Sequence, residues 1–249
     1  MRRRLLHLLA LAMLATAAAL AVLPARWLML TLPSQWPLAI VEASGTLWSG
    51  SATLALGPAH DRRTLPDALR WNLSLASGPQ MEIRHPWLGG PLTLAITLGG
   101  PVISAQTLQA PASALAPLDA RLAAIGPGGT LWLSWPRLEF GASARAPGQR
   151  LLDAEWRAAS SALTPIRPVG HYAVALRQGA GNTAELRLET RHGPLLLEGR
   201  GGVDAASRFH FQGTARAEPG ISPETHAALQ DVLGALGPRR NELTQLHYR

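Results

Sequence analysis

The sequence predicts a mainly-β chain: a curved antiparallel β-sheet, as an open groove or a partly closed barrel, behind a single N-terminal transmembrane helix. One short mid-chain helix and one C-terminal amphipathic helix complete the expected fold. Three observations lead there. An uninterrupted apolar run follows three N-terminal arginines, side-chain polarity alternates with a period of two through most of the remaining chain, and 24 Gly and 20 Pro punctuate the alternation. Short strands separated by tight turns need those punctuators; long helices would not tolerate them.

The N-terminal element comes first. Residues 5–23, with Leu5, Leu9, Leu14, Leu20 and Leu23 along the run, contain His7 as the one strongly polar side chain. At 1.5 Å per residue the run reaches ~28 Å, close to the hydrocarbon thickness of a bilayer. Arg2, Arg3 and Arg4 precede it, and the next charges are Arg26 and Glu42. The positive-inside rule therefore predicts residues 1–4 as a cytoplasmic tail, 5–23 as a signal anchor and 24–249 as a periplasmic domain. Trp27 and Trp36 sit just past the span, where interfacial aromatics are favoured. Ala17, Ala18, Ala19 and Ala21 also offer small-x-small sites for cleavage of a signal peptide. The apolar run exceeds the ~7–15 residues of a signal-peptide core, which favours the anchor; either reading exports the domain.

Beyond the anchor, Leu69, Trp71, Leu73 and Leu75 alternate with polar side chains, as do Leu92, Leu94, Ile96 and Leu98. Tyr172, Val174 and Leu176 begin a further series that continues through Leu186 and Leu188, Leu195 and Leu197, and Phe209 and Phe211. Turns are expected at 179–182, 192–194 and 201–202, so residues 170–217 read as a four-stranded antiparallel meander. Residues 113–124 carry a short helical stripe of Leu115, Leu118 and Leu122. A second helix starts at Ser222, a favoured N-cap, with Pro223 at its first position. It presents Leu229, Val232, Leu233 and Leu236 to the sheet and stops at Gly237. A last strand, 243–248, returns to the sheet edge. The strings beginning at Gly45 and Gly129 share Gly-Thr-Leu-Trp, which raises the alternatives of two similar halves opening near 45 and 129 or of coincidence.

Composition narrows function. Charged residues make up 16% of the chain, against ~25% in ordinary soluble domains. The net charge of +7 comes from arginine alone, scattered singly apart from Arg2–Arg4, Arg62–Arg63 and Arg239–Arg240, without a basic helix or interleaved aromatics, so nucleic acid is not an expected partner. The absence of cysteine removes disulfides, thiol catalysis and thiolate metal sites. The histidines show no metal-binding spacing, and Ser49 lacks the frame of a nucleophile elbow. Asp153 and Glu155 read as surface charges beside Arg157 rather than a general acid/base pair. The expectation is therefore no enzyme: no catalytic, metal or cofactor-binding residues and no cofactor. Tryptophan is the enriched aromatic, eight against three Phe and two Tyr. Trp132 and Trp135, three apart in a strand, cannot share a face, so one of them is the candidate partner contact.

Gly45, Thr46, Leu47, Trp48, Ser49 and Gly50, a short distance beyond a single N-terminal span, resemble the type II secretion system protein N family. The string from Leu131 to Trp135, the strand entry from Pro168 to Tyr172, and the strands around Leu195 and Phe209 fit the same family. So does the helix from Leu229 to Leu236. The resemblance runs through nearly the whole chain. It implies an inner-membrane accessory subunit of the machine that moves folded proteins across the outer membrane, with other inner-membrane secretion subunits as partners. The alternative function is a periplasmic lipid-binding or lipid-transport β-groove, with lipid contact along the sheet.

Overall fold

Alternating side chains give each strand one apolar and one polar face, and the fold follows from stacking those faces in register. The computed structural model describes residues 22–30, 33 and 36–248, apart from 77, 142–144 and 242, together with residue 13. A 3-10 helix, Ala25–Leu30, leads into β1 (Leu38–Gly45), β2 (Ser49–Leu56), β3 (Arg63–Thr64), β4 (Leu69–Ser74), β5 (Gln80–Arg84), β6 (Leu92–Thr97) and β7 (Gly100–Ile103). After β8 (Gln106–Pro111) come a second 3-10 helix (Ala112–Leu118), α1 (Ala120–Ile125), β9 (Gly128–Trp135) and β10 (Leu138–Glu139). The chain continues with β11 (Arg150–Ser160), β12 (Gly170–Gln178), β13 (Ala184–His192), β14 (Leu195–Val203) and β15 (Phe209–Ala217). It closes with α2 (Pro223–Ala228), α3 (Gln230–Leu236), β16 (Arg239–Arg240) and β17 (Leu243–Tyr248).

The strands form two antiparallel sheets rather than the single sheet expected from the sequence. One runs β1-β2-β4-β5-β6-β7-β10 with β3 attached to β2; the other runs β16-β17-β15-β14-β13-β12-β11-β9-β8. Neither sheet closes into a barrel. The chain passes from the first sheet to the second between β7 and β8 and back between β9 and β10. Each of these pairs is one long strand interrupted at the crossing: Leu138 faces Ile103 on one side, and Trp135 faces Gln106 on the other. Pro136 supplies the interruption, because it has no N–H to offer the ladder. Trp135 Nε1 donates to the Ser104 carbonyl at 3.1 Å across the gap. The loop after β5 adds a second seam, with Gly89 N–H donating to Thr107 O at 2.9 Å and Gln109 N–H to Trp87 O at 2.7 Å.

The predicted meander is present as β12 to β15, each paired with the next. One turn is displaced. Gly201 and Gly202 lie inside β14, where a Cβ on either would press within 2.3 Å of a neighbouring strand's carbonyl oxygen. The turn is made instead by Asp204, whose Oδ1 accepts from the amides of Ala206 and Arg208 at 2.9 Å. β17 returns to pair with β15 as expected, with β16 outside it.

Both predicted helices are broken. The mid-chain stripe begins as a 3-10 helix containing Pro117 and becomes α-helical only after Asp119, whose side chain accepts from Arg121 N–H at 2.7 Å. The C-terminal helix starts where predicted, with Ser222 Oγ accepting from Thr225 N–H at 3.2 Å. It then tightens at Leu229, whose N–H bonds back three residues to His226 O at 3.3 Å. The strings at 45 and 129 do not open similar strands: Gly45 ends β1 and Thr46, Leu47 and Trp48 form a hairpin turn, whereas Gly129 and its followers lie inside β9. Apart from Met13 and residues 22–23, the predicted span lies outside the described residues, including Leu5, Leu9, Leu14 and Leu20. Among the described residues no helix is long and apolar enough to cross a membrane.

The larger core lies where α2 and α3 cover the second sheet. Leu229, Val232 and Leu233 pack with Tyr172, Leu195, Leu197, Phe211, Ala215 and Leu246. Buried Thr244 ties strand to helix by donating its hydroxyl to Leu233 O at 3.2 Å. Leu233→Ala should lower the unfolding free energy by about 2–5 kcal/mol, the cost of a fully buried leucine. Leu243→Ala, at a 41% exposed position, should stay within about 0.5 kcal/mol. Urea titration followed by circular dichroism checks both; equal effects would mean that the helices do not hold this core.

Candidate functional site

The string 45–50 is a hairpin turn built around a tryptophan from the next strand. Gly45 takes φ +89°, a conformation that favours glycine, and Thr46 N–H donates to Ser49 O at 2.9 Å. Gly50 faces Trp71 in the ladder, and a Cβ on Gly50 would come within 2.5 Å of the indole Cζ2. The missing side chain therefore lets the Trp71 ring lie across the strand. Its Nε1 reaches the turn and donates to Leu47 O at 3.0 Å. Leu47 N–H in turn donates to Leu23 O at 2.8 Å, and Leu73 N–H to Trp48 O at 2.6 Å. With Trp71, Ala52 and Ala25 buried together, this turn fastens the N-terminal segment to the first sheet. The sequence marked Gly45 to Gly50 as a motif but did not place Trp71 against it, because strand alternation does not say which residues face each other across strands.

The apolar faces are only partly covered. In the first sheet Leu73, Met81, Leu94, Ile103 and Leu138 face one another in a row. In the second a row runs Leu108, Leu133, Ala154, Val174, Leu188, Gly199, Gly213 and Leu246. From Leu73 to Val174 every member of these rows is half-buried, neither packed into a closed core nor fully in water. Among the described residues, full cover comes from the C-terminal helices, from the 3-10 helix Ala25–Leu30 and from the mid-chain helices, where Ala112 and Ile125 are buried. A sheet face of half-buried aliphatics can take up an apolar partner or an acyl chain by removing the remaining area from water.

The opposite faces are polar. Asp153 pairs with Arg150 at 2.7 Å and Arg177 at 2.6 Å, and Glu155 with Arg157 at 2.6 Å. Asp153 thus serves one pair across to β12 and one within β11, and Glu155 a pair within β11, the surface charge pairing expected from the sequence. Trp132 is on this polar side, 36% exposed, with the Arg157 guanidinium 4.5 Å over its ring. Trp135 is on the apolar side and half-buried. The structure separates the two tryptophans as their spacing required and leaves Trp132 as the outward one. On the first sheet the polar face carries a depression of about 880 Å³, lined by Ser44, Ser51, Arg70, Asn72, Glu82 and Arg84 among others. His210 lies exposed on the polar side beside buried Phe211. Among the described residues no three His, Cys, Asp or Glu side chains meet to hold a metal ion.

Sequence reading missed one histidine pair. His171 and His192 face each other between β12 and β13 and stack at 4.0 Å. Burial, the neighbouring His192 and the Arg157 guanidinium hold His171 below the ordinary histidine pKa, against a smaller upward pull from Glu155. Because the folded protein then binds fewer protons than the unfolded chain, His171 costs stability as pH falls below about 6.5. His171→Asn should flatten that part of a pH–stability profile measured by urea unfolding. Gly50→Ala should cost about 1–3 kcal/mol through the displaced indole, and Trp71→Phe about 1 kcal/mol through the lost Leu47 bond, in the same assay.

Comparison with curated proteins and with solved structures gave no match. A family model described as "Type II secretion system (T2SS), protein N" matches residues 37–245, from the strand entry after the N-terminal segment to β17. The match takes in the Gly45–Gly50 turn, both sheets and the C-terminal helices. The chain belongs to the type II secretion system protein N family.

Proposed function

We propose that the protein is a non-catalytic accessory subunit of type II secretion, anchored in the inner membrane by residues 5–23, that supports export of folded proteins across the outer membrane. The family match carries the reading. In it, residues 1–4 lie in the cytoplasm and the two sheets in the periplasm. The geometry supports a docking role: among the described residues β1 pairs in the ladder with β2 alone, and Val41 stands 49% exposed at the bulge between Ile40 and Glu42. An open edge of this length offers backbone donors and acceptors to a strand from another secretion subunit. Trp132 with Arg157 offers a second contact on the polar side.

The half-buried aliphatic rows favour one other reading, in which the sheet face holds the acyl chain of an envelope lipid. The two readings separate experimentally. A photo-crosslinking residue at Val41 in intact inner membranes should capture another secretion subunit, and one at Glu198 on the polar face of β14 should capture much less. Capture of no secretion component from either position, or from one at Trp132, would defeat the subunit reading. Lipid co-purifying after gentle extraction, with no protein captured, would transfer the function to the groove.

A further inference from the structure

The two ends of the first sheet differ in kind. At one end lie the β1–β2 turn, the β4–β5 turn with Leu75, the β6–β7 turn with Leu98, and Phe140 just after β10. Residues 46–48, 75–76, 78–79, 97–101 and 140–141, which make this rim, contain no charged side chain and no histidine. Leu75 is 56% exposed, Ile96 64%, Phe140 44%, and Leu98 projects fully into solvent. The opposite end is made by residues 57–68 and 85–91, which carry His60, Asp61, Arg62, Arg63, Asp67 and His85. Loops normally put polar side chains into water; a rim of exposed large aliphatics on tight turns marks a surface that meets something apolar.

The path of the chain says what that is. Residues 22–24 arrive at this rim and not at the charged end: Leu47 N–H donates to Leu23 O at 2.8 Å, and Pro24 bridges to Thr46. Val22, the residue before, is 68% exposed. We propose that this rim rests in the interfacial layer of the bilayer that holds residues 5–23, so that Leu75, Ile96, Leu98 and Phe140 insert and the first sheet stands with its charged end away from the membrane. The proposal rests on the anchor reading for the position of the membrane and adds the surface that meets it.

Two further features fit that surface. The rim turns are cross-tied by hydrogen bonds of their own, which favours a polar chain meeting an apolar layer. Gly99 N–H donates to Thr97 Oγ1 at 3.2 Å, Thr97 Oγ1 to Gly100 O at 2.9 Å, Ile96 N–H to Pro79 O at 3.0 Å and Phe140 N–H to Pro101 O at 2.7 Å. Arg145 sits 4.6 Å over the Phe140 ring, and Arg26 is exposed close behind Pro24. Cations flanking apolar tips suit anionic headgroups. Glu139, immediately behind the rim, is already paired with Arg137 at 2.9 Å.

A chain without cysteine makes the test direct. Nitroxide labels are placed by Leu98→Cys, Leu75→Cys, Ala59→Cys and Leu14→Cys, one at a time, in the full chain reconstituted into vesicles of phosphatidylglycerol and phosphatidylcholine. Accessibility is read by power saturation with oxygen against a water-soluble nickel chelate. Labels at Leu98 and Leu75 should favour oxygen, and a label at Ala59, in the charged end, should favour the chelate. If Leu98 and Leu75 favour the chelate while Leu14 favours oxygen, the rim proposal is overturned and the anchor stands. If Ala59 also favours oxygen, the sheet lies flat and the proposal is again overturned. Oxygen preference at Leu98 with chelate preference at Leu14 keeps the rim and removes the anchor; chelate preference everywhere removes both.

Discussion

Two long strands that belong to both sheets hold the molecule together. β7 with β8, and β9 with β10, pair with each other on either side of Pro136. Without that hairpin, β1 to β6 would be joined to the rest by the short seam between the loop after β5 and β8 and by the approach of Gly57 to Pro117. The interruption is as important as the pairing. An unbroken ladder of more than ten strands would have to curl or split as twist accumulated. Here the missing amide of Pro136 stops the ladder locally, the Trp135 indole bridges to Ser104, and Ser104 remains tied to Thr93 by bonds of 2.9 and 3.0 Å. The chain therefore changes sheet without losing its backbone continuity.

That construction leaves an energetic imbalance. Twisted sheets with one apolar face need a second layer, and among the described residues short helical segments supply it over part of each face. α2 and α3 bury Leu229, Val232 and Leu233 against the second sheet, and the segment at Ala25 buries Trp71 and Ala52 in the first. Between them the aliphatic rows stay half-covered. The polar faces contribute little to compensate, because exposed pairs such as Arg187 with Glu189 gain little from Coulomb attraction in water. A partly covered apolar face is thus a property of the architecture and not of a few stray side chains.

Strand order and turn chemistry were largely legible because both are local. Alternation located β4, β6 and β12 to β15, and glycine-rich pairs located most turns. What failed was non-local. Gly201 and Gly202 look like a turn in sequence but serve close approach to β13 and β15. The single curved sheet became two because one proline, Pro136, lies opposite Ser104 and Ala105, a pairing that no periodicity reveals. The likeness between the strings at 45 and 129 was chemical and not structural: glycine at 45 permits a turn, whereas glycine at 129 sits in β9 opposite a bulge of β11. Alternation placed Trp71 on the apolar face of its strand but not against Gly50 and Leu47, since those partners are set by register.

The Trp71 turn connects these points. It satisfies the indole, fixes the β1–β2 hairpin, and receives residues 23–24 through Leu47 and Thr46, so the first sheet cannot rotate freely about the point where the chain enters it. A loose linker at that point would let any edge or face of the sheet meet any partner. A fastened one presents β1, the aliphatic rows and the uncharged rim in fixed directions relative to residues 22–24. For the docking role proposed above, that fixed geometry matters more than any one contact, because it decides which strand edge is open and which end of the sheet is committed.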